Sequence, residues 1–418
     1  MRAEIIAVGS ELLSGQIVNT DAYEIARRLS QLGINCLNQQ VVGDDRQAIS
    51  QALRLAHQRA DLVVLTGGLG PTLDDLTKEV LADYLGVDLV VNAQQWATIQ
   101  SYLKQRGRLP NDRDQRQAWT FAGGHCFTTQ QGLACGSLYQ AGATTFICLP
   151  GPPQELISLL DLSVIPYLQD HLDLEETQAI LTLNFAGLGE SQVMEALSPW
   201  SEHLDNPVLG IYAKPLHIQV TLRAKGTSQA VCQQVNHRLA QEIIQALQPY
   251  YLGQGDQVSL ASHVLDLFKA QEWTLATCES LTGGGLASEL TGVAGASQVV
   301  KAGFVVYQVA SKIDLLGIDP DLIEQESVYS HACAQAMAQK ALNQAETDYA
   351  VSLTGVAGPG PDQGHPAGEV YIAIASRHQP VQSQVYHFPA RSRTYIRQMA
   401  VQQALWQLIQ VLGSSCEE

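Results

Sequence analysis

The chain has 418 residues, 46% hydrophobic and 16% charged, with a formal net charge of -17. That length exceeds what one core organises and points to roughly two to four ordinary soluble domains, while negative charge on both halves, with no basic stripe or tail, excludes nucleic-acid binding by phosphate neutralisation. Eight scattered cysteines, with no Cys-x-x-Cys pair and no paired histidine spacing, argue against a zinc site or a disulfide framework and predict reduced thiols in a cytoplasmic protein.

The first residues, Met-Arg-Ala-Glu-Ile-Ile-Ala-Val, read as a first strand and not as a signal peptide, because the apolar run is short and an acid comes early. Gly9-Ser10-Glu11 follows, then a helix near Asp21 to Leu32 whose apolar residues fall at helical spacing and which Gly33 closes. A strand near Cys36 to Val42 ends at Gly43-Asp44-Asp45, and a helix runs to about His57. The apolar run Leu62 to Leu65 predicts a buried strand that enters Thr66-Gly67-Gly68-Leu69-Gly70-Pro71-Thr72-Leu73-Asp74-Asp75 and then a helix from Leu76 to Leu85.

A strand, a glycine turn and a helix make phosphate geometry, since the backbone approaches closely and the free N–H groups favour negative charge. Carboxylates in the same turn oppose a bare phosphate; Asp74 or Asp75 therefore either caps the helix or holds a bridging divalent cation. Strands alternating with helices imply parallel crossovers, which gather ligands outside the carboxyl ends of the strands. Gly9 to Glu11, Asp44-Asp45 and Gly67 to Asp75 are expected to converge there.

A helical stretch near Gln94 to Arg106 precedes the strand Thr144 to Leu149 and the turn Pro150-Gly151-Pro152-Pro153. Ala122 to Gln154 has no charged residue, yet Gly, Pro, Thr and Gln interrupt it, so composition excludes a membrane span. From about Asp170 the pattern changes to a small α+β module: a strand Ala179 to Phe185, Gly187-Leu188-Gly189, a helix from Ser191, a strand near Ile218 to Ala224 and a helix Ser228 to Leu247. Gly253 to Asp256 is the linker candidate. The predicted domains are therefore 1–169, 170–255 and 256–418.

The last domain opens with a helix from Ser259 and a strand Thr274 to Thr277, followed by Cys278-Glu279-Ser280-Leu281-Thr282-Gly283-Gly284-Gly285, a second anion-friendly helix start. Gly295-Ala296-Ser297, a strand Gly303 to Tyr307, Lys312, a buried strand Tyr349 to Leu353 and the turn Thr354-Gly355-Val356-Ala357-Gly358-Pro359 follow. The closing helix, Arg393 to Leu412, places Arg393 and Arg397 on one face. A serine and a desolvated lysine form a known nucleophile–base pair, and Lys312 just after an apolar strand is either such a base or a solvated surface residue.

Together these motifs resemble the CinA family over nearly the whole chain. The matching residues are Gly9 to Leu13, Asn19-Thr20, Gly43 to Asp45, Thr66 to Glu79 and Leu149 to Pro153, then Glu279 to Gly284, Gly295 to Ser297, Tyr307 with Lys312, Thr354 to Pro359, and Arg393 to Arg397. The resemblance implies an α/β fold: a parallel-sheet first domain of molybdopterin-binding type, the α+β connector, and a separate α/β amidase domain. It implies that the first domain is a metal-dependent ADP-ribose pyrophosphatase, with Asp45 and Asp75 on a divalent ion of the Mg, Mn or Co type. Gly67, Gly68, Gly70 and Lys78 would hold phosphates, and Glu11 and Asn19 would line the site.

The last domain is similar to nicotinamide-nucleotide amidase, which needs no cofactor and converts nicotinamide mononucleotide to nicotinate mononucleotide and ammonia. By that likeness Ser297 is the nucleophile, Lys312 its base and Tyr307 a neighbour. Ser280, Thr282, Gly283, Gly284, Thr354, Gly355 and Gly358 would serve the oxyanion or phosphate, and Arg393 or Arg397 the phosphate. Leu281 departs from the family's usual Cys, and Gln308-Val309 from its usual Ser-Asn. A homodimer is expected. The competing expectations are a single active domain, or a molybdopterin binder or recombination partner without activity.

Overall fold

The structure is a computed structural model that describes residues 1–129, 131–172, 177–201 and 204–415. Cys416 lies outside them. The chain forms two compact units, Met1–Ala179 with Ala224–Gln233, and Ile180–Arg223 with Gln234–Glu418.

The first unit is built on strands β1 (Arg2–Val8), β2 (Asn35–Val42), β3 (Leu62–Thr66), β4 (Leu89–Val91), β5 (Trp119–Phe121), β6 (His125–Phe127), β7 (Gly136–Ala141) and β8 (Thr144–Leu149). Six of them form a sheet in the order β2-β1-β3-β8-β7-β6, and β4 pairs with β5. β2, β1, β3 and β8 run parallel, each pair separated by a helical crossover. The central strands are mostly apolar because both faces are covered; the buried exception in β1 is Glu4, whose carboxylate accepts from the Arg59 guanidinium (2.7 Å). Ile5, Val64 and Ile147 join one core cluster, and Ile6, Val63 and Phe146 join the other. Successive residues thus point to opposite faces, as the pleat requires. β6 and β7 are antiparallel additions at one edge of a sheet that is mostly parallel, as expected. Both strands are short, with glycine or proline nearby, and their three to six residues carry no clear alternation.

In the second unit, a four-stranded sheet has the order β10-β11-β9-β12, formed by β9 (Thr177–Ala186), β10 (Val208–Lys214), β11 (His217–Gly226) and β12 (Tyr251–Gln254). Leu183, Phe185, Val220 and Leu222 centre its core. Gly253 and Gln254, expected in a linker, instead close β12 against Asn184 and Leu183 of β9.

The second sheet of this unit has the order β14-β13-β15-β16-β17: β13 (Leu275–Glu279), β14 (Val300–Val305), β15 (Tyr349–Gly355), β16 (Glu369–Ser376) and β17 (Gln382–His387). The first three are parallel, and the last two antiparallel. One face is rich in small residues: Ala276, Ala350, Ala373 and Ala375 meet Ala334, Ala338 and Ala341 of the helix His331–Ala345, which allows close helix–sheet approach. Larger residues on the opposite face, such as Leu353 and Ile372, pack against Val264 of the helix Leu260–Ala270 and Leu405 of the helix Arg393–Ser415.

Candidate active site

In each unit the parallel strands end at a lined cavity. In the second, β13 delivers Ser280 one residue past its last position, and the Ser280 N–H donates to the Leu353 carbonyl of β15 (2.9 Å), which continues the ladder and fixes the hydroxyl at the strand ends. Lys312 lies in a short helix, Val309–Asp314. Its Nζ donates to Ser280 Oγ (3.0 Å) and to the Val306 carbonyl (2.9 Å). Both side chains are nearly sealed, Ser280 at 6% and Lys312 at 2% exposure.

Burial lowers the Lys312 ammonium below the ordinary lysine range, and the Cys333 and Cys278 sulfurs only partly oppose this. Burial also pushes Cys278 up to about 12 and Cys333 to about 11, so near neutral pH both are uncharged thiols that give the lysine no counter-charge. A desolvated lysine hydrogen-bonded to a hydroxyl is the arrangement that activates serine.

The cavity measures about 380 Å³ and is lined by Ser280, Leu281, Tyr307, Gln308, Lys312, Tyr329, Gly355, Gly358, Asp362 and Arg393, among others. Arg393 donates to the Tyr307 hydroxyl (2.7 Å) and to the Gly358 carbonyl (3.0 Å), which holds its guanidinium at the rim. Tyr329 donates to Asp362 (2.5 Å) on the same wall. Among the described residues, the Leu281 and Thr282 N–H groups have no protein acceptor, and Leu281 directly follows the serine.

Several expected roles are corrected. Ser297 does not meet Lys312: it is exposed in a single turn, Ala296–Gln298, outside the cavity, and Ser280 takes its place beside the amine. The helix Gly285–Thr291 is not an open anion site, because the buried Glu279 carboxylate accepts from its Leu286 (3.0 Å) and Ala287 (2.8 Å) N–H groups. Gly283 and Gly284 shape the turn but do not line the cavity; Gly284 sits at φ +90°, a conformation that suits glycine. Thr354 is buried, its hydroxyl spent on the Val328 carbonyl (2.8 Å). Arg397 donates to the Thr282 carbonyl (2.6 Å) and lines a separate recess with Thr282, so it supports the serine turn from behind. Leu281, where the family likeness expects a thiol, packs into the core. Although Gln308 and Val309 replace the usual pair, the lysine keeps its contacts.

The first unit has a cleft of about 560 Å³ at the ends of β1, β3 and β8, lined by Glu11, Asn19, Gly67, Gly68, Gly70 and Asp75 as expected, and also by Asp21, Asp44, Thr66, Asp74 and Glu155. A side chain at Gly67 would be strained: φ is +92°, and a Cβ there would stand 2.2 Å from the Val8 carbonyl oxygen. The Thr66 hydroxyl donates to Asp21 (2.9 Å), whose carboxyl burial raises to about 6. The Asn19 side chain caps the helix Thr20–Gln31 by accepting from Ala22 N–H (3.1 Å).

Asp45 and Asp75 do not form a metal pair. Asp45 caps the helix Arg46–Arg59 through Ala48 N–H (2.9 Å) and does not line the cleft, whereas its neighbour Asp44 does, accepting from Ser10 N–H (2.8 Å). Asp75 is engaged by the Thr72 N–H (2.9 Å) and hydroxyl (2.5 Å). Among the described residues, no three His, Cys, Asp or Glu side chains come together as a metal cluster. Lys78 is buried away from the cleft. Arg116, which no motif marks, braces the loop from outside through the Thr72 (2.5 Å) and Asp75 (2.7 Å) carbonyls and the Glu79 carboxylate.

Fold and sites together define a multidomain α/β chain that joins a mostly parallel first sheet to a separate domain carrying a Ser–Lys pair. Three family models match it in succession: a "probable molybdopterin binding domain" over residues 4–170, a damage-inducible protein CinA KH domain over 181–253, and a CinA C-terminal domain over 257–412. A competence-damage inducible protein of Lactiplantibacillus plantarum is 38% identical over 406 residues, covering 97% of this chain and 96% of that one. One from Streptococcus equi subsp. equi is 38% identical over 411 residues, 96% of each. Among solved structures, the competence/damage inducible protein CihA of Agrobacterium tumefaciens is 35% identical with a TM-score of 0.36, covering 37% of this chain and 93% of that one. The chain belongs to the CinA family. Among the described residues no helix is long and apolar enough to cross a membrane.

Proposed function

We propose that the C-terminal domain is a hydrolase that removes ammonia from a carboxamide, with nicotinamide mononucleotide as substrate. The observation that carries this reading is the 3.0 Å contact between Lys312 Nζ and Ser280 Oγ inside a cavity that desolvates the amine. Once Lys312 has lost its proton, one N–H stays on the Val306 carbonyl and the lone pair faces the hydroxyl. Lys312 takes the Ser280 proton as Oγ bonds to the carboxamide carbon, and the oxyanion meets the free Leu281 N–H. When the C–N bond breaks, Lys312 returns the proton to the leaving ammonia. Water then attacks the serine ester with the same base, releasing the carboxylic acid and restoring Ser280. Arg393 at the rim is suited to the substrate's phosphate.

For the N-terminal domain the reading is ADP-ribose hydrolysis to AMP and ribose 5-phosphate. The cleft residues do not fit a metal ion held by the chain alone. Among the described residues, the cleft is lined by carboxylates and by no Lys or Arg, so a pyrophosphate would enter with its own counter-ion, as a divalent metal complex. Both readings are tested by incubating the protein separately with nicotinamide mononucleotide, scoring ammonia, and with ADP-ribose plus Mg²⁺, Mn²⁺ or Co²⁺, scoring AMP. Turnover of neither removes the enzyme reading; turnover of the first alone supports a chain with one active domain.

A further inference from the structure

Lys78 opens the helix Thr77–Leu85 but turns into the core of the first unit. At 2% exposure its ammonium donates to the carbonyls of Trp119 (2.6 Å) and Cys135 (2.9 Å) and reaches Cys135 Sγ at 3.5 Å. Among the described residues no carboxylate pairs with it. A buried ammonium needs a counter-charge, and the Cys135 sulfur is placed to supply it. A second thiol is at hand. Cys126 on β6 stands opposite Ser137 of β7, and Cys135, just ahead of β7, lies on the same side as Ser137, since both side chains reach the Trp119 carbonyl (3.4 Å each). The nearby Cys126 thiol and the Lys78 charge pull Cys135 below the ordinary thiol range, while Cys135 and burial push Cys126 up. Cys135 is sealed, but Cys126 is only half-buried and opens the pair to solvent.

We propose that Cys126 and Cys135 are an oxidation site, converted by peroxide-class oxidants into an intrachain disulfide that withdraws the sulfur counter-charge from Lys78. The Cys135 thiolate takes up the Cys126 proton, and Cys126, the accessible sulfur, then attacks as the thiolate so formed. It breaks the O–O bond of hydrogen peroxide and becomes a sulfenic acid, and the released hydroxide takes up a proton to leave as water. Cys135 then attacks the Cys126 sulfur: the S–S bond forms, the S–O bond breaks, and a second water leaves. Two thiols lose two electrons and two protons, and one peroxide becomes two waters.

The pair adjoins the cleft. Ala134 and Gln117 line it, and the Gln117 carbonyl accepts the Cys135 N–H (3.0 Å). Lys78 itself follows the glycine loop. Oxidation therefore alters the support of the cleft wall, whatever the cleft binds.

The test is hydrogen peroxide treatment of the full chain, an N-ethylmaleimide quench, and peptide mapping without reduction. The expected result is a mass loss of about 2 Da, a peptide pair linked through Cys126 and Cys135, and reversal by dithiothreitol. Cys36 is the internal control: it is half-buried, bonded to the Asn38 carbonyl (3.4 Å), and its thiol is raised by burial, so it should still be alkylated in the same sample. Lys78→Met should slow linkage about tenfold or more through the lost thiolate, and Lys78→Arg, which keeps the charge if the Met variant does not fold, should preserve it. Alkylation of both Cys126 and Cys135, a Cys135–Cys148 link in their place, prior oxidation of Cys36, or an unslowed folded Lys78→Met would each overturn the proposal.

Discussion

Lys312 Nζ stands 3.0 Å from Ser280 Oγ, although 32 positions separate the two residues in the chain. Parallel strands explain the meeting: β13 ends at Glu279, one residue before Ser280, while its neighbour β14 ends at Val305 and leads into the short helix that carries the lysine. Both groups emerge at the same edge of one sheet, where ligands collect in open α/β folds.

The first prediction concerns pH. The base must be the neutral amine, and burial lowers the Lys312 pKa from its ordinary 10.5, so the neutral form appears at lower pH than for a free lysine. Ammonia release should rise with pH and level off, its half-point lying below 10.5, and should fall as Lys312 is protonated on the acid side. Lys312→Arg keeps the charge but cannot shed its proton, and should lower kcat by about 10²–10⁴-fold. A pH–rate profile of the wild type and this variant checks both statements; a flat profile would remove Lys312 as the base.

Arg393 and Arg397 should separate kinetically. Arg393 faces the cavity, so Arg393→Ala should raise KM for nicotinamide mononucleotide by about 10–100-fold, the worth of a charge-assisted hydrogen bond, and leave the phosphate-free riboside unaffected. Arg397 reaches only the Thr282 carbonyl. Arg397→Ala should therefore act mainly on kcat, through the turn that holds Ser280. Steady-state kinetics on the two substrates decide it.

In the first unit, Asp21→Asn should change the pH dependence of stability. Burial raises the Asp21 carboxyl to about 6 in the folded chain, against an ordinary 3.8. The group therefore binds its proton more tightly when folded: it favours the fold below about pH 4, and that contribution is lost as pH rises through about 6. Replacing it with Asn removes this loss, so melting at pH 8 should improve relative to the wild type and the difference should shrink at pH 4. Thermal denaturation across that range is the check.

Gly67→Ala should destabilise the first unit by about 1–3 kcal/mol, because the residue has a left-handed φ and a Cβ would overlap the Val8 carbonyl. Turnover of ADP-ribose should fall while ammonia release continues, since the two sites belong to different units. Calorimetry of the variant, with both assays run in parallel, reports on each part.

The outline of both α/β sheets was legible from apolar runs ending in glycine turns, and so was the presence of a site at each set of strand ends. What sequence spacing could not decide was which of two similar residues faces the cavity. Asp44 and Asp45 are adjacent, yet only the second caps the next helix and only the first lines the cleft. Ser280 and Ser297 both sit in Gly-rich turns; the register of β13 against β14 places Ser280 at the lysine, and nothing local to either turn reveals that. The family likeness made Lys78 a phosphate ligand, but its long stem lets the charge turn inward to two carbonyls and a thiol. Arg116 was unmarked because a long-range brace leaves no local pattern.

The most direct measurement is ammonia release from nicotinamide mononucleotide by Ser280→Ala and Ser297→Ala, each confirmed as folded. Loss of about 10³-fold or more in Ser280→Ala, with Ser297→Ala close to the wild type, is the predicted result. Ammonia release that survives Ser280→Ala, or is abolished by Ser297→Ala alone, would contradict it.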